Sequence, residues 1–181
     1  MKYLIISDIH GSKYYVEKVL EVYQNENCDK MIILGDVLYH GPRNDLPEGY
    51  NPKEVVRLLN QYKDDIICIK GNCDAEVDEM VLDFELHREY FLNTEHFKIY
   101  LNHGHGVEIH KLDPSLDINL ILYGHTHIHK IEISNKLCLI NPGSISIPKG
   151  DMINSFAIME DNSVRIYDFY MNMLKEYVKE G

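Results

Sequence analysis

No apolar run in this 181-residue chain approaches the roughly 20 residues that cross a bilayer, so a soluble protein is expected. Cysteine is sparse and scattered. The four stand at positions 28, 68, 73 and 138 without a CxxC pair. A chain of this length removes roughly 70% of its unfolded surface from water without covalent staples, so reduced thiols in a cytoplasmic setting are expected rather than a disulfide framework. Positive charge is scarce too: 18 Lys and Arg against 29 Asp and Glu leave a net charge of −11. Such a field repels a long polyanion, which disfavours extended nucleic-acid binding. A small phosphate ester stays admissible if a cation brought to the site outweighs that field. No repeat, low-complexity tract or domain boundary interrupts the chain, and residues 1–181 read as one domain. The opening MKYLIISDIHG has a short apolar run broken by Asp8 and His10 and no small-residue cleavage site, so it reads as a buried strand rather than a signal peptide.

What is present alternates. KYLIISD is a nearly continuous apolar run of strand length, and SKYYVEKVLEVYQNEN repeats apolar residues at helical spacing behind Ser12 as a cap. MIILGD is a second strand, NPKEVVRLLNQY a helix capped by Asn51 with Pro52 in its first turn, and IICIKGN a third strand. Buried strands alternating with helices predict a largely parallel sheet whose ligand site lies beyond the carboxyl ends of the strands. After a short helical candidate at 76–83, the second half reads as short strands, with turn cues at Ser134-Asn135 and Asp161-Asn162. Two strand-rich halves with helices only outside favour a sandwich of two sheets flanked by helices. The long connection VLYHGPRNDLPEGYNP is read as a functional loop. The last stretch, FYMNMLKEYVKEG, places Tyr170, Met173, Leu174, Tyr177 and Val178 on one helical face, either core or a face for self-association, which leaves a homo-oligomer open.

The residues that end these apolar runs are Asp8 and His10, then Asp36, then Asn72 and Asp74, then His103 and His105, then His125 and His127 in YGHTHIHK. A single Asp after a strand is most often a turn residue or helix cap. Five such endings in succession are not independent accidents. Carboxylate, imidazole and amide oxygen together suit manganese, iron or zinc better than the all-oxygen cage preferred by calcium. The order D-x-H, GD, GN-x-D, H-G-H, GH-x-H resembles the calcineurin-like metallophosphoesterase superfamily. GDVLYHGPRNDLPEGY, GNCDAEVDEM and NPGSISIPKG resemble its small phosphodiesterases, so that the likeness runs from the first strand to about residue 150.

That resemblance implies a four-layer α-β-β-α sandwich of two mixed β-sheets and a centre of two divalent ions, manganese first with zinc, iron, nickel or magnesium as alternatives. It implies Asp8, His10 and His127 on one ion, Asn72, His103 and His125 on the other, and Asp36 bridging both. Asn72 would also face substrate. The implied reaction is hydrolysis of a small phosphodiester by a hydroxide that bridges the ions, without a covalent enzyme intermediate. His129 matches no ligand position. Where the superfamily usually carries the histidine thought to protonate the leaving group, this chain has Cys73, which is open to three readings: weak acid, shape-filling residue or extra ligand. His105 and His40 are candidates for the displaced acid or for contacts to substrate oxygens, and Arg43 for a bidentate phosphate contact. Asp74 is expected to orient a ligand or His105. Asn141 and Gly143 are expected to shape the loop beneath the histidines. A metal-poor interaction scaffold of the same fold, like the sorting subunit of retromer, is the alternative. The complete set of seven ligands speaks against it.

Overall fold

The computed structural model describes residues 1–106, 116–134 and 137–180. The first third follows the predicted alternation: β1 (Tyr3–Ile6), α1 (Lys13–Asn25), β2 (Lys30–Ile33), α2 (Pro52–Leu59) and β3 (Ile66–Ile69). Both predicted caps form, for the Ser12 hydroxyl accepts from the Tyr15 N–H and the Asn51 side chain from the Glu54 N–H. The remaining strands are β4 (Leu86–His87), β5 (Glu89–Asn93), β6 (Lys98–Asn102), β7 (Leu120–Leu122), β8 (Lys130–Ser134), β9 (Leu137–Asn141), β10 (Ser155–Glu160), β11 (Ser163–Asp168) and β12 (Met173–Val178). Asn135, half of one predicted turn, lies outside the described residues.

Two mixed sheets result. One has seven strands in the order β12-β11-β10-β1-β2-β3-β4, the other five in the order β5-β6-β7-β9-β8. Strands β1 to β4 run parallel, as do β6, β7 and β9, and antiparallel hairpins extend both sheets outward. The period of two sorts the side chains of β1: Leu4 and Ile6 turn towards Val16, Val19 and Leu20 of α1 and Val55 and Leu59 of α2, whereas Tyr3 and Ile5 turn inward. Between the sheets, Ile5, Ile32, Leu34 and Ile69 meet Ile99, Leu101, Leu120, Leu122 and Ile140. The outer face of the second sheet buries Tyr100, Ile121 and Leu139. Among the described residues both α-helices lie on the seven-stranded sheet.

Two expectations need correction. The C-terminal stretch is the edge strand β12, not a helix. Its register on β11 slips between Ile166 and Tyr167, which leaves Leu174 without an opposite residue. That bulge inverts the phase of the strand, so Leu174 and Tyr177, three apart, both pack on the inter-sheet core and imitate helical spacing. Met173 and Val178, predicted on the same face, are exposed. The helix expected over 76–83 shrinks to a 3₁₀ turn at Asp78–Met80. With Val77, Met80 and Val81 all exposed, it has no apolar stripe to bury, and packing of such a stripe is what sustains short helices.

Candidate metal centre

The parallel strands of both sheets point their carboxyl ends at one rim. Asp8 and His10 follow β1, Asp36 follows β2, Asn72 follows β3, His103 follows β6, and His125 and His127 follow β7. Backbone conformation aims these side chains. Asp8, His10, Asp36, His125 and His127 all adopt left-handed φ values, from 48° to 68°, a region that residues other than glycine occupy at a cost and that concentrates at functional sites. The glycines before the ligands permit close approach: a Cβ on Gly71 would collide with Asp36 Oδ1, and one on Gly124 with Ser7 Oγ. Backbone bonds then lock the β1 and β2 loops together, with the His10 N–H donating to the Asp36 carbonyl at 2.9 Å and Asp8 to Gly35 at 3.1 Å.

Asp8, His10, Asp36 and His127 each offer a ligand atom, and these atoms lie within 4.8 Å of one another. All four residues are buried. His103 Nε2 stands 3.4 Å from Asp36 Oδ2 and 3.1 Å from Asn72 Oδ1. The His125 ring lies against that of His103, with centroids 5.2 Å apart, and the His125 backbone N–H donates to Asp8 Oδ2 at 3.1 Å. Thus the structure brings all seven sequence-assigned ligands to one place, with Asp36 between the two groups. Asp74 supports them from behind by accepting the N–H groups of Asp36, Val37 and Gly71 at 2.7–2.8 Å.

The tautomers show what the cluster lacks in itself. Nδ1 of His10, His103 and His127 donates to the carbonyls of Tyr39, Leu34 and Ile147 at 2.6–2.7 Å, so each Nε2 presents a lone pair inward when the ring is neutral. His10 Nε2 and His127 Nε2 nevertheless face each other at 3.3 Å, and Asp8 Oδ1, wholly buried, has no hydrogen-bond partner among the described residues although it stands 3.2 Å from His127 Nε2. A proton relieves one such contact; a divalent cation relieves all of them together. The residues therefore fit a metal ion.

Titration follows the same geometry. Burial pushes the Asp8 carboxyl up, but the adjacent His127 imidazole when charged, then His103 and the Ser7 hydroxyl, outweigh it and hold the group below the usual range. Asp36 is likewise pushed up by burial yet held at about 2 by His103, the Cys73 N–H and His10. His103 is depressed by burial but raised further by Asp36 and Asp8, to about 9. His10 and His125 are lowered, chiefly by burial. Burial, followed by the charge of Asp36, lifts the Cys73 thiol to about 12, and burial lifts Asp74 to about 6.

A cleft of ≈ 370 Å³ opens over His10, Asp36, Asn72, His125 and His127 and is also lined by Arg43, Asn44, Cys73 and Lys149, a volume suited to a small organic ligand. His105 is exposed, its ring 5.1 Å from that of His125. His40 packs edge-on between Tyr39 and Tyr50 instead of lining the cleft. His129 turns away and meets Asp151 at 3.3 Å. Asn141 donates to the Gly124 carbonyl at 2.7 Å and accepts from the Gly143 N–H at 2.9 Å, shaping the loop beneath the histidines. Sequence reasoning passed over Asn44 and Lys149. Both sit inside the blocks that carry the family likeness, which is the signal that could have marked them.

Residues 1–163 match the calcineurin-like phosphoesterase superfamily domain. Over 130 residues, 71% of this chain and 70% of the relative, the sequence is 44% identical to phosphodiesterase YfcE of Escherichia coli K12. A solved structure of YfcE, described as a phosphoesterase from E. coli, superposes with a TM-score of 0.93 at 37% identity and covers 98% of this chain and 99% of that one. Vacuolar Protein Sorting 29 from Cryptosporidium parvum shares the fold, with a TM-score of 0.69 at 21% identity over 98% of each chain.

Proposed function

The chain belongs to the calcineurin-like phosphoesterase superfamily and is a metal-dependent phosphodiesterase, and on that basis we propose that it hydrolyses small phosphodiesters at a centre of two divalent ions. Asp8, His10 and His127 hold one ion, Asn72, His103 and His125 the other, and Asp36 serves both. The observation that carries this reading is the inward-facing pair of His10 and His127 beside the orphaned Asp8 Oδ1. The first candidate is manganese, with zinc, iron, nickel and magnesium as alternatives, because a mixed nitrogen and oxygen set accepts several divalent ions and supply decides among them. When bound, such ions polarise phosphoryl oxygens and lower the pKa of a water to supply the nucleophile near neutral pH.

The chain's own residues do the rest. Arg43, exposed on the cleft wall, forks two hydrogen bonds onto the non-bridging phosphoryl oxygens. Asn72, also exposed at the cleft, contacts the bound ester as well as its ion. His105 is an imidazole outside the ligand set, 5.1 Å from the His125 ring, and hands a proton to the leaving alcohol. His40 steadies the loop that carries Arg43, since its ring is held between Tyr39 and Tyr50. Cys73 lines the cleft with its Sγ accepting from the Asn72 amide at 3.4 Å, and its role is to shape the cleft rather than to ligate metal or act as the principal acid. Asp74 positions Asp36 through three backbone N–H groups. The partner is a small phosphate ester rather than an extended nucleic acid, given the net charge of −11. Among the described residues no helix is long and apolar enough to cross a membrane, and four free cysteines fit a reducing, cytoplasmic setting.

The test is to strip the protein with a chelator and reload it with Mn²⁺ while following bound metal and the hydrolysis of bis(p-nitrophenyl) phosphate and p-nitrophenyl phosphate. Activity should return in step with metal up to two equivalents, with the diester favoured. Saturation at one equivalent would reject the two-ion centre, and a preference for the monoester would reject the substrate class. A protein that binds no ion would instead be the interaction scaffold.

A further inference from the structure

Although the chain is strongly acidic, two cationic side chains, Arg43 and Lys149, line the cleft above the ligand cluster. They come from distant parts of the sequence and border different halves of the site. Arg43 sits in the loop that follows Gly41, which packs against Cys73 and Asn44. Lys149 belongs to the loop that holds His127: its N–H donates to the His127 carbonyl at 3.0 Å, and two residues earlier the Ile147 carbonyl accepts from His127 Nδ1 at 2.7 Å. Pro148 and the left-handed Gly150, which packs on Ile128, restrain the backbone on either side. The ammonium itself is not engaged. Lys2, Lys30 and Lys70 each pair with a carboxylate, whereas Lys149 makes no ion pair or side-chain hydrogen bond among the described residues. The acid closest to it in sequence, Asp151, is taken by His129.

Charge decides what Lys149 can do. On the phosphodiesterase reading above, two divalent ions set against Asp8 and Asp36 leave two positive charges, which a monoanionic diester and one hydroxide neutralise. Arg43 then grips the reacting phosphoryl group. Lys149 is left as a positive charge without a counter-ion at the edge of a centre whose own charge is already balanced, so a further anion carried by the substrate is the group it can pair with. We propose that Lys149 reads a second negatively charged group on the substrate, so that this site takes phosphodiesters bearing an additional anion on the arm that is not expelled.

The test compares p-nitrophenyl phenyl phosphate with the same ester carrying a carboxylate or a phosphonate at the far position of the phenyl ring. Wild type, Lys149→Met, Lys149→Arg and Lys149→Glu are each loaded with Mn²⁺. Wild type should favour the charged esters in kcat/KM by roughly 10–100-fold, mostly through KM, as expected for one charge-assisted contact. Lys149→Arg should keep that ratio, Lys149→Met should bring it close to one, and Lys149→Glu should invert it. Equal handling by wild type, or a ratio that survives in Lys149→Met, overturns the inference. Calorimetric binding of phenylphosphonate and 4-carboxyphenylphosphonate to the loaded proteins reads the same preference without turnover. If that binding preference holds while no diester is hydrolysed, the phosphodiesterase reading fails and the second anion site stands. If plain and charged diesters turn over alike, the opposite conclusion follows.

Discussion

The two halves of the ligand cluster are built differently. Asp8, His10 and His127 are buried, with relative exposures of 0%, 1% and 4%, and both imidazoles are keyed to backbone carbonyls. In the other half His103 is equally buried and keyed, but Asn72 is exposed and His125 only half-buried. One half is a finished receptacle. The other is a fixed imidazole and a shared carboxylate completed by side chains that water reaches. On the two-ion reading, the first ion binds tightly and stays, while the second exchanges more readily and sits on the side where substrate enters.

The largest effect should come from removing the group the halves share. Asp36→Asn should lower kcat/KM by at least ~10³-fold, since the several kcal/mol of charge stabilisation supplied by each ion depends on it. Near wild-type turnover in saturating Mn²⁺ would remove Asp36 from the bridge. Next, His127→Ala should abolish the tight phase of a Mn²⁺ titration, while Asn72→Ala should weaken only the loose one, by roughly 10–100-fold. Identical titration curves for these variants would erase the contrast between the halves.

Acidity sets His103 apart from His10 and His125 within the cluster. His103 is raised from 6.5 to about 9, so the stability its charged form gives the metal-free fold is complete below pH 6.5 and disappears as pH rises through 9. The melting temperature of stripped protein should therefore fall between pH 6.5 and 9, at roughly 2–4 °C per kcal/mol for a chain of this size. Metal affinity should climb over the same interval, because the His103 proton must leave before an ion binds. His10 and His125, lowered by burial, should lose the competition with protons only in more acidic solution. A melting temperature flat across that interval in metal-free protein would contradict the Asp36–His103 pairing. The smallest effect is expected at Cys73: Cys73→Ser should change diester turnover by less than ~3-fold, and Cys73→His should raise monoester relative to diester hydrolysis by supplying a better acid. Loss of one metal equivalent in Cys73→Ser would make the thiol a ligand.

Much of this architecture is legible before any coordinates are known. Runs such as YLII and the MIIL stretch at 31–34 are buried on both faces and so appear as plain apolar stretches, and each ligand is among the first polar residues after such a run. Ser12 and Asn51 announce their helices because capping is local chemistry. Legibility fails where distant parts of the chain decide the outcome. Bulging of β12 against β11 turns a strand into a counterfeit helical stripe. Carbonyls of Tyr39, Leu34 and Ile147 fix the imidazoles from 29, 69 and 20 residues away, and backbone carbonyls leave no mark in a sequence. Lys149 looks like any surface lysine until its loop is seen fastened to His127.

The left-handed backbone at Asp8, His10, Asp36, His125 and His127 bears on how such a centre could be transplanted. Copying the side chains onto regular strand ends of another protein would aim them elsewhere, so a graft must import the unfavourable dihedrals too. At roughly 1 kcal/mol or more apiece, five of them approach the ~5–15 kcal/mol that holds a typical domain folded. A recipient scaffold would therefore need surplus stability before it received a single ligand.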